Sequence, residues 1–215
     1  MTMAKASGAT RSVSVGELIN FGRFRQGDRN RDRDIKALEW LVLDVRDDRM
    51  LLITKQGIDV KWFHKSSRSV TWETCTLRTR FLNGYFLDTA FRPAERKRIV
   101  LTTVTADPNP ETETDPGRDT QDKVFLLSTR EAALYFRSNR ARQCYPTDYA
   151  WSRGANSWGP YHETFSDRCW WWLRTPGWSN KYAAGVDLDG NIRYGGDGVR
   201  GNGNCVRPAL WLRLE

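Results

Sequence analysis

Few side chains in this sequence could do covalent or metal chemistry: four cysteines (Cys75, Cys144, Cys169, Cys205) and two histidines (His64, His162). No cysteine sits in a Cys-x-x-Cys pair, so a zinc site is not expected. With no export signal visible, the cysteines read as reduced thiols. Cys169 and Cys205 each open a tryptophan-rich segment, 36 residues apart. An enzyme built on them would need the two to meet and one to ionise readily; two buried thiols are the plainer reading. Neither histidine has a Ser or Cys motif nearby, so no convergent catalytic cluster forms. Asp187-x-Asp189-Gly-Asn191 gathers oxygen atoms as calcium sites do, but lacks the further acidic positions of such a loop. A hairpin turn at Asp189-Gly190 accounts for it. The sequence therefore predicts no catalytic residue, no metal and no cofactor.

The residue pattern favours recognition. Cys169-Trp-Trp-Trp-Leu-Arg-Thr-Pro-Gly177 and Cys205-Val-Arg-Pro-Ala-Leu-Trp-Leu212 are stiff and apolar. Between them, residues 178–204 are mostly Ser, Asn, Asp, Tyr, Arg and Gly. Binding residues are often carried on loops that a rigid scaffold holds. The candidate ligand-binding residues are Trp178, Ser179, Asn180, Tyr182, Asp187, Asp189, Asn191, Arg193, Tyr194, Asp197, Arg200, Asn202 and Asn204. Ala183, Ala184, Val186, Ile192 and Val199 are expected to anchor the backbone. The scaffold residues are Trp171, Trp172, Arg174, Arg207 and Trp211, with Trp172, Arg174, Arg207 and Trp211 placed beneath or beside the ligand face. The Trp170-Trp171-Trp172 run could stack on bases or sugars, but strand pleating would bury part of it whatever the function.

The chain of 215 residues carries a net charge of +8, with arginine dominating the 34 basic residues. These are dispersed, and the tightest cluster, Arg29 to Asp34, alternates with acids. Residues 174–215 hold six basic against four acidic residues, so nucleic acid is not an expected partner. No stretch approaches the roughly 18 apolar residues of a membrane span. A signal peptide is not visible either. Location stays open between the cytoplasm and a phage or non-standard export route.

The elements that must position the recognition surface read as α+β. Residues 1–14 are expected to be disordered, and residues 15–215 to form one domain. Val15 to Arg25, Ala37 to Val45 and Met50 to Thr54 form a three-stranded meander, turning at Gly27 to Lys36 and at Arg46 to Arg49. Leu77, Phe81, Leu82, Tyr85 and Phe86 recur with helical spacing over 72–91. Thr71 or Thr74 would cap that helix, and Asn83-Gly84 would end or kink it. Pro93 to Ile99 suits a short helix. Residues 106–121 read as a mobile acidic loop open to nicking. Lys123 to Leu127 is a short strand, and Ser128-Thr-Arg-Glu131 a capping box opening a helix to Phe136. Residues 139–167 are irregular. Strands follow at Cys169 to Arg174, Ala183 to Leu188, Ile192 to Tyr194 and Val206 to Leu214, with Pro208 at an edge or bulge.

Taken together, Trp171-Trp-Leu-Arg-Thr-Pro-Gly177, Ala183-Ala184-x-Val186, Asp189-Gly190 and Val206-Arg-Pro-Ala-Leu-Trp-Leu212 resemble a family of bacterial and phage domains. Upstream, Ile19-Asn-Phe-Gly22, Glu39-Trp-Leu-Val-Leu43, Thr71-Trp-Glu73 and Phe125-Leu-Leu-Ser128 agree, so the likeness spans about residues 16 to 214. The family is similar to the C-type lectin fold, in the irregular form shared with formylglycine-generating enzymes. Many members resemble variable proteins of diversity-generating retroelements, in which a reverse transcriptase rewrites adenines in one C-terminal region. The resemblance implies a non-enzymatic binding protein with massive sequence variation at 178–204, directed at a protein or cell-surface target. Most candidate side chains are types reachable from Asn codons by adenine changes; Trp178 and Lys181 depart from that scheme. The alternatives are a fixed lectin-like module, or an oxidoreductase-like enzyme related to the formylglycine-generating one and using Cys169 and Cys205.

Overall fold

Alternating apolar and polar residues over 35–54 favour a hairpin, and the computed structural model, which describes residues 13–27, 34–155 and 167–214, has one there. Strand β2 (Ile35–Arg46) lies antiparallel between β1 (Leu18–Arg25) and β3 (Arg49–Thr54). Asp47-Asp48 makes the second turn, so the meander forms as expected. The Trp40 indole is buried and donates to the Phe21 carbonyl at 2.7 Å. Strand β1 bulges between Asn20 and Arg23. Gly22 there has φ 68°, and a Cβ would strike Phe91 and the Ala90 carbonyl. Of the expected N-terminal disorder, residues 1–12 lie outside the described residues, but Val13 packs against the core.

After the short strand β4 (Asp59–Val60) comes the helical middle. A 3-10 turn at Trp72–Thr74 precedes a wide π-wound helix, Leu77–Phe86, which runs into α1 (Leu87–Ala90); α2 (Pro93–Arg98) follows. Neither Thr71 nor Thr74 caps the long helix, and Asn83-Gly84 does not end it. The π winding, which inserts an extra residue per turn, accommodates the pair. The Asn83 side chain points inward, donates to Val124 O (2.8 Å) and Asp122 Oδ1 (3.1 Å), and accepts from the Lys123 and Val124 amides. Strands β5 (Thr102–Val104) and β6 (Thr120–Asp122) form a two-stranded ladder. Residues 123–127 are not a strand; Phe125 makes one bridge, to Ala209. The capping box opens α3 (Thr129–Tyr135): Ser128 Oγ accepts from Glu131 N, and the Glu131 carboxylate accepts from Ser128 N. The irregular stretch contains α4 (Asn139–Arg142) and α5 (Asp148–Ser152), while residues 156–166, with His162, lie outside the described part.

The C-terminal fifth builds most of a second sheet from β7 (Trp171–Pro176), β8 (Tyr182–Val186), β9 (Ile192–Gly198) and β10 (Cys205–Val206), in the order β4-β10-β7-β8-β9. The expected single closing strand is broken. Pro208 has no N–H to continue a ladder, so the chain leaves the second sheet at Arg207-Pro208. It joins the first as β11 (Ala209–Arg213), antiparallel to β3, giving the order β1-β2-β3-β11. The hairpin between β8 and β9 is longer than a two-residue turn: Val186 faces Ile192 across residues 187–191. One buried apolar cluster runs through both sheets and the helical middle, so the fold is α+β. Among the described residues no helix is long and apolar enough to cross a membrane.

Candidate ligand-binding site

Two glycines shape the surface around β8 and β9. At the turn after β7, Gly177 N donates to Tyr182 O (2.8 Å), and Trp178 N reaches Gly195 O (3.2 Å). A Cβ on Gly195 would fall 2.7 Å from the Trp178 ring, so only glycine lets the indole lie on β9. Trp178 is 69% exposed and Tyr182 42%, and the two lie side by side, whereas scattered single exposed rings such as Tyr85 carry no such meaning. With Trp170 and Tyr194 they wall a cavity of about 390 Å³, which Glu111 and Arg193 also line. This lies within the usual small-site range of about 300–1,000 Å³. Trp170 Nε1 is buried and has no hydrogen-bond partner among the described residues.

Glu111 belongs to the stretch expected to be a mobile loop, and that expectation is corrected here. Asn109 is fully buried; its Nδ2 donates to Pro176 O (2.9 Å) and Tyr194 O (2.8 Å), and its Oδ1 accepts from Glu111 N (2.9 Å). Glu113 N closes the turn onto Asn109 O. At the far end Arg118 bonds Glu73, which holds that carboxyl below its usual range. The loop is poor in apolar groups but rich in proline, which limits its backbone freedom. The usable signal was Pro108-Asn109-Pro110, a short polar side chain on a stiffened backbone.

The candidate residues divide by exposure. Trp178, Ser179, Tyr182, Asp189, Arg193, Asp197, Arg200 and Asn202 are exposed, and Asn180, Asn191 and Tyr194 are half-buried. Asp187 and Asn204 are buried and hold loops. Asp187 Oδ1 accepts from Asp189 N and Asn191 N, and Asn204 Nδ2 donates to Asp197 (3.0 Å). The Asp187 oxygens are thus already committed to the hairpin, and among the described residues no cluster suits a metal ion. Trp178, Tyr182, Arg193 and Tyr194 meet at the cavity. Arg200 lies elsewhere, with its guanidinium 5.6 Å from the Trp62 ring centre. Nearby, Lys61, Trp62, Arg153 and Asn202 line a smaller cavity of about 210 Å³. Of the anchors, Ala183, Ala184, Val186 and Val199 are buried, whereas Ile192 is half-buried and lines the large cavity.

The scaffold residues are all buried. Trp171 Nε1 donates to Arg142 O and Trp172 Nε1 to Lys61 O. Arg174 binds Leu126 O, Thr105 O and the Glu131 carboxylate. Arg207 donates to Thr54 O and stacks 5.0 Å from the Trp171 ring centre. Trp211 is the exception to the expected placement. It lies on β11, in the other sheet, between Arg46 and Arg49, and does not support the ligand face.

The cysteines are free and fully buried. Cys169 and Cys205 do come together, both thiols lying against Gly57, and Cys144, missed in the sequence, joins them, its carbonyl accepting from Cys169 N at 2.8 Å. Burial raises the pKa of all three, and that of Cys75 to about 12, which makes them poor nucleophiles. His64 Nδ1 accepts from Thr76 N at 3.3 Å; burial, then Lys65, lowers its pKa. It faces no nucleophile among these groups.

Residues 47–214 match a family described as a domain of unknown function (DUF6273), and the chain belongs to that family. No curated protein and no solved structure matches the chain.

Proposed function

We propose that this member of the family is a ligand-binding protein whose β8–β9 surface is the recognition site, on a C-type lectin-like frame resembling retroelement-diversified variable proteins. The observation that carries the reading is the partition of residues 178–204. Ala183, Ala184, Val186, Leu188 and Val199 are buried, while most polar and aromatic residues of the whole segment are exposed. Side chains on such a surface can change without disturbing the core. Exposed tyrosine and tryptophan with small polar neighbours give contact area at low entropic cost. The buried, weakly acidic thiols favour binding over a cysteine enzyme.

The test is the DNA around the gene. A near-copy of the segment encoding 170–212, differing almost only at adenines and accompanied by a reverse transcriptase, is the expected finding. If both are missing, diversification is refuted and a fixed binding module is left. The binding reading itself fails if replacing Tyr182, Tyr194 and Arg200 with Ala leaves capture of a selected target unchanged.

A further inference from the structure

We infer that the large cavity takes a positively charged side chain, lysine or arginine, presented by a protein partner. The inference rests on the binding reading above and specifies the chemistry of that site. Three observations converge. First, the walls are aromatic: Trp178 and Tyr182 are exposed, and Tyr194 and Trp170 are half-buried beside them. Ring faces attract cations, most strongly those of tryptophan and tyrosine.

Second, Glu111 sits at the rim, and its carboxylate makes no hydrogen bond or ion pair among the described residues. Among the described residues the wall holds one cation, Arg193, which balances Glu111 in the lining itself; with the buried Asp187, 4.0 Å from Arg193, the surroundings carry one net negative charge. Third, the rim belongs to an acidic loop. Residues 106–121 hold five carboxylates (Asp107, Glu111, Glu113, Asp115, Asp119) against Arg118 alone, on a chain whose net charge is +8. Asn109 ties this loop to Tyr194 O and Pro176 O, which places Glu111 beside the aromatic rings, while Asp107 lies 3.7 Å from Arg174 and Asp119 accepts from the Ala106 amide. The smaller cavity, lined by Lys61 and Arg153, has the opposite character. Glu111 also lies outside the candidate variable segment. It would therefore be a constant of the site whichever residues occupy 178–204.

The experiment titrates the full chain with N-acetyl-lysine amide, N-acetyl-arginine amide, N-acetyl-norleucine amide and n-butylammonium, following the Trp178 indole signal by NMR. The two cationic amides are expected to bind roughly tenfold more tightly than the norleucine amide, as a desolvated cation–ring contact plus a carboxylate provides. Glu111→Gln should weaken them about fivefold and leave norleucine unchanged; Trp178→Ala, followed through the ring signals of Tyr182 and Tyr194, which line the same cavity, should abolish the preference for the cationic amides. Equal binding of the norleucine amide, no effect of Glu111→Gln, or no binding by any probe overturns the inference. n-Butylammonium, the lysine side chain without its backbone, should bind comparably to the lysine amide; its failure to bind while the amide binds would place the affinity in the backbone and overturn the assignment to a side chain. A selected partner lost on replacing Tyr182, Tyr194 and Arg200 but indifferent to Glu111→Gln would sink this inference alone and leave the binding reading standing.

Discussion

Asn109→Ala is the sharpest test of how the acidic loop is built. The wild-type side chain makes three hydrogen bonds of 2.8–2.9 Å, to Pro176 O, Tyr194 O and Glu111 N. Asn109 is fully buried, so the two carbonyls have little access to replacement water. A typical hydrogen bond contributes about 1 kcal/mol net, and a buried group left unsatisfied costs about 1–3 kcal/mol. Two carbonyls and one amide therefore give a loss of roughly 3 kcal/mol. For a chain of this size about 1 kcal/mol moves Tm by roughly 2–4 °C, so the expected drop is roughly 6–12 °C. Calorimetry measures it, and limited proteolysis should show faster cleavage within 110–119. Asn109→Asp preserves shape but replaces the donor with an acceptor facing two carbonyls, and should cost at least as much. A Tm within about 2 °C of wild type in both variants, with unchanged cleavage, would refute the anchored loop and with it the fixed position of Glu111.

Four further outcomes are expected. Gly190→Ala should destabilise by about 3 kcal/mol in chemical denaturation, since φ is 84° and a Cβ would land on the Asn139 carbonyl. Gly198→Ala, where a Cβ meets nothing within 4 Å, should change stability by less than about 0.5 kcal/mol. Arg174→Met should cost about 3 kcal/mol in the same assay, because it strips a buried guanidinium from Leu126 O, Thr105 O and Glu131. The cysteines fix the alkaline limit. Their folded pKa values are raised, Cys75 to about 12 from 9.0, so the folded chain stays protonated while the unfolded chain ionises. This contribution is intact below about pH 9 and is lost as pH rises toward the folded values, at up to about 1.4 kcal/mol per pH unit per thiol. Stability curves at pH 8 and 10 measure it, and a flat profile would contradict the buried thiols.

The legible parts of the fold were those fixed by local pattern. The meander followed from alternation over 35–54, and α3 from the Ser128–Glu131 capping box, which forms as read. Long-range partners decided what was missed. Nothing near Asn83-Gly84 in sequence shows that Asn83 will bond the 123–124 backbone and the Asp122 carboxylate while the helix runs on through the pair. Pro208 announced a break but not its purpose, because the crossing between sheets requires β3 and β7 as neighbours on either side. In the site, the aromatic and arginine candidates were visible by type, and Trp178, Tyr182, Arg193 and Tyr194 do meet. Glu111 and Asn109 were not, because an acidic, proline-rich stretch looks solvated until the carbonyls of residues 176 and 194 are known to need a donor.

The frame also determines which positions can vary. Its strongest polar contacts run from Trp171, Trp172, Arg174 and Arg207 to backbone carbonyls or to Glu131, none of them within 178–204. The segment is held in turn by its own backbone: Val70 N bonds Asn180 O, His64 N bonds Val199 O, and Val199 N bonds Lys181 O. Neither set depends on an exposed side chain, so exchanging Ser179, Tyr182, Arg193 or Arg200 breaks no frame bond. Asp187 and Asn204 are different. Asp187 satisfies two amides of the β8–β9 hairpin, and Asn204 is buried with its amide on Asp197. Asp187→Ala strands those amides and should cost about 2 kcal/mol by denaturant titration, against less than about 0.5 for Ser179→Ala. If diversification operates here, sequenced variants should change at 179, 182, 193 and 200 and hold 187 and 204 constant. Free substitution at 187 would separate the varied set from the exposed set and remove the physical basis of the reading.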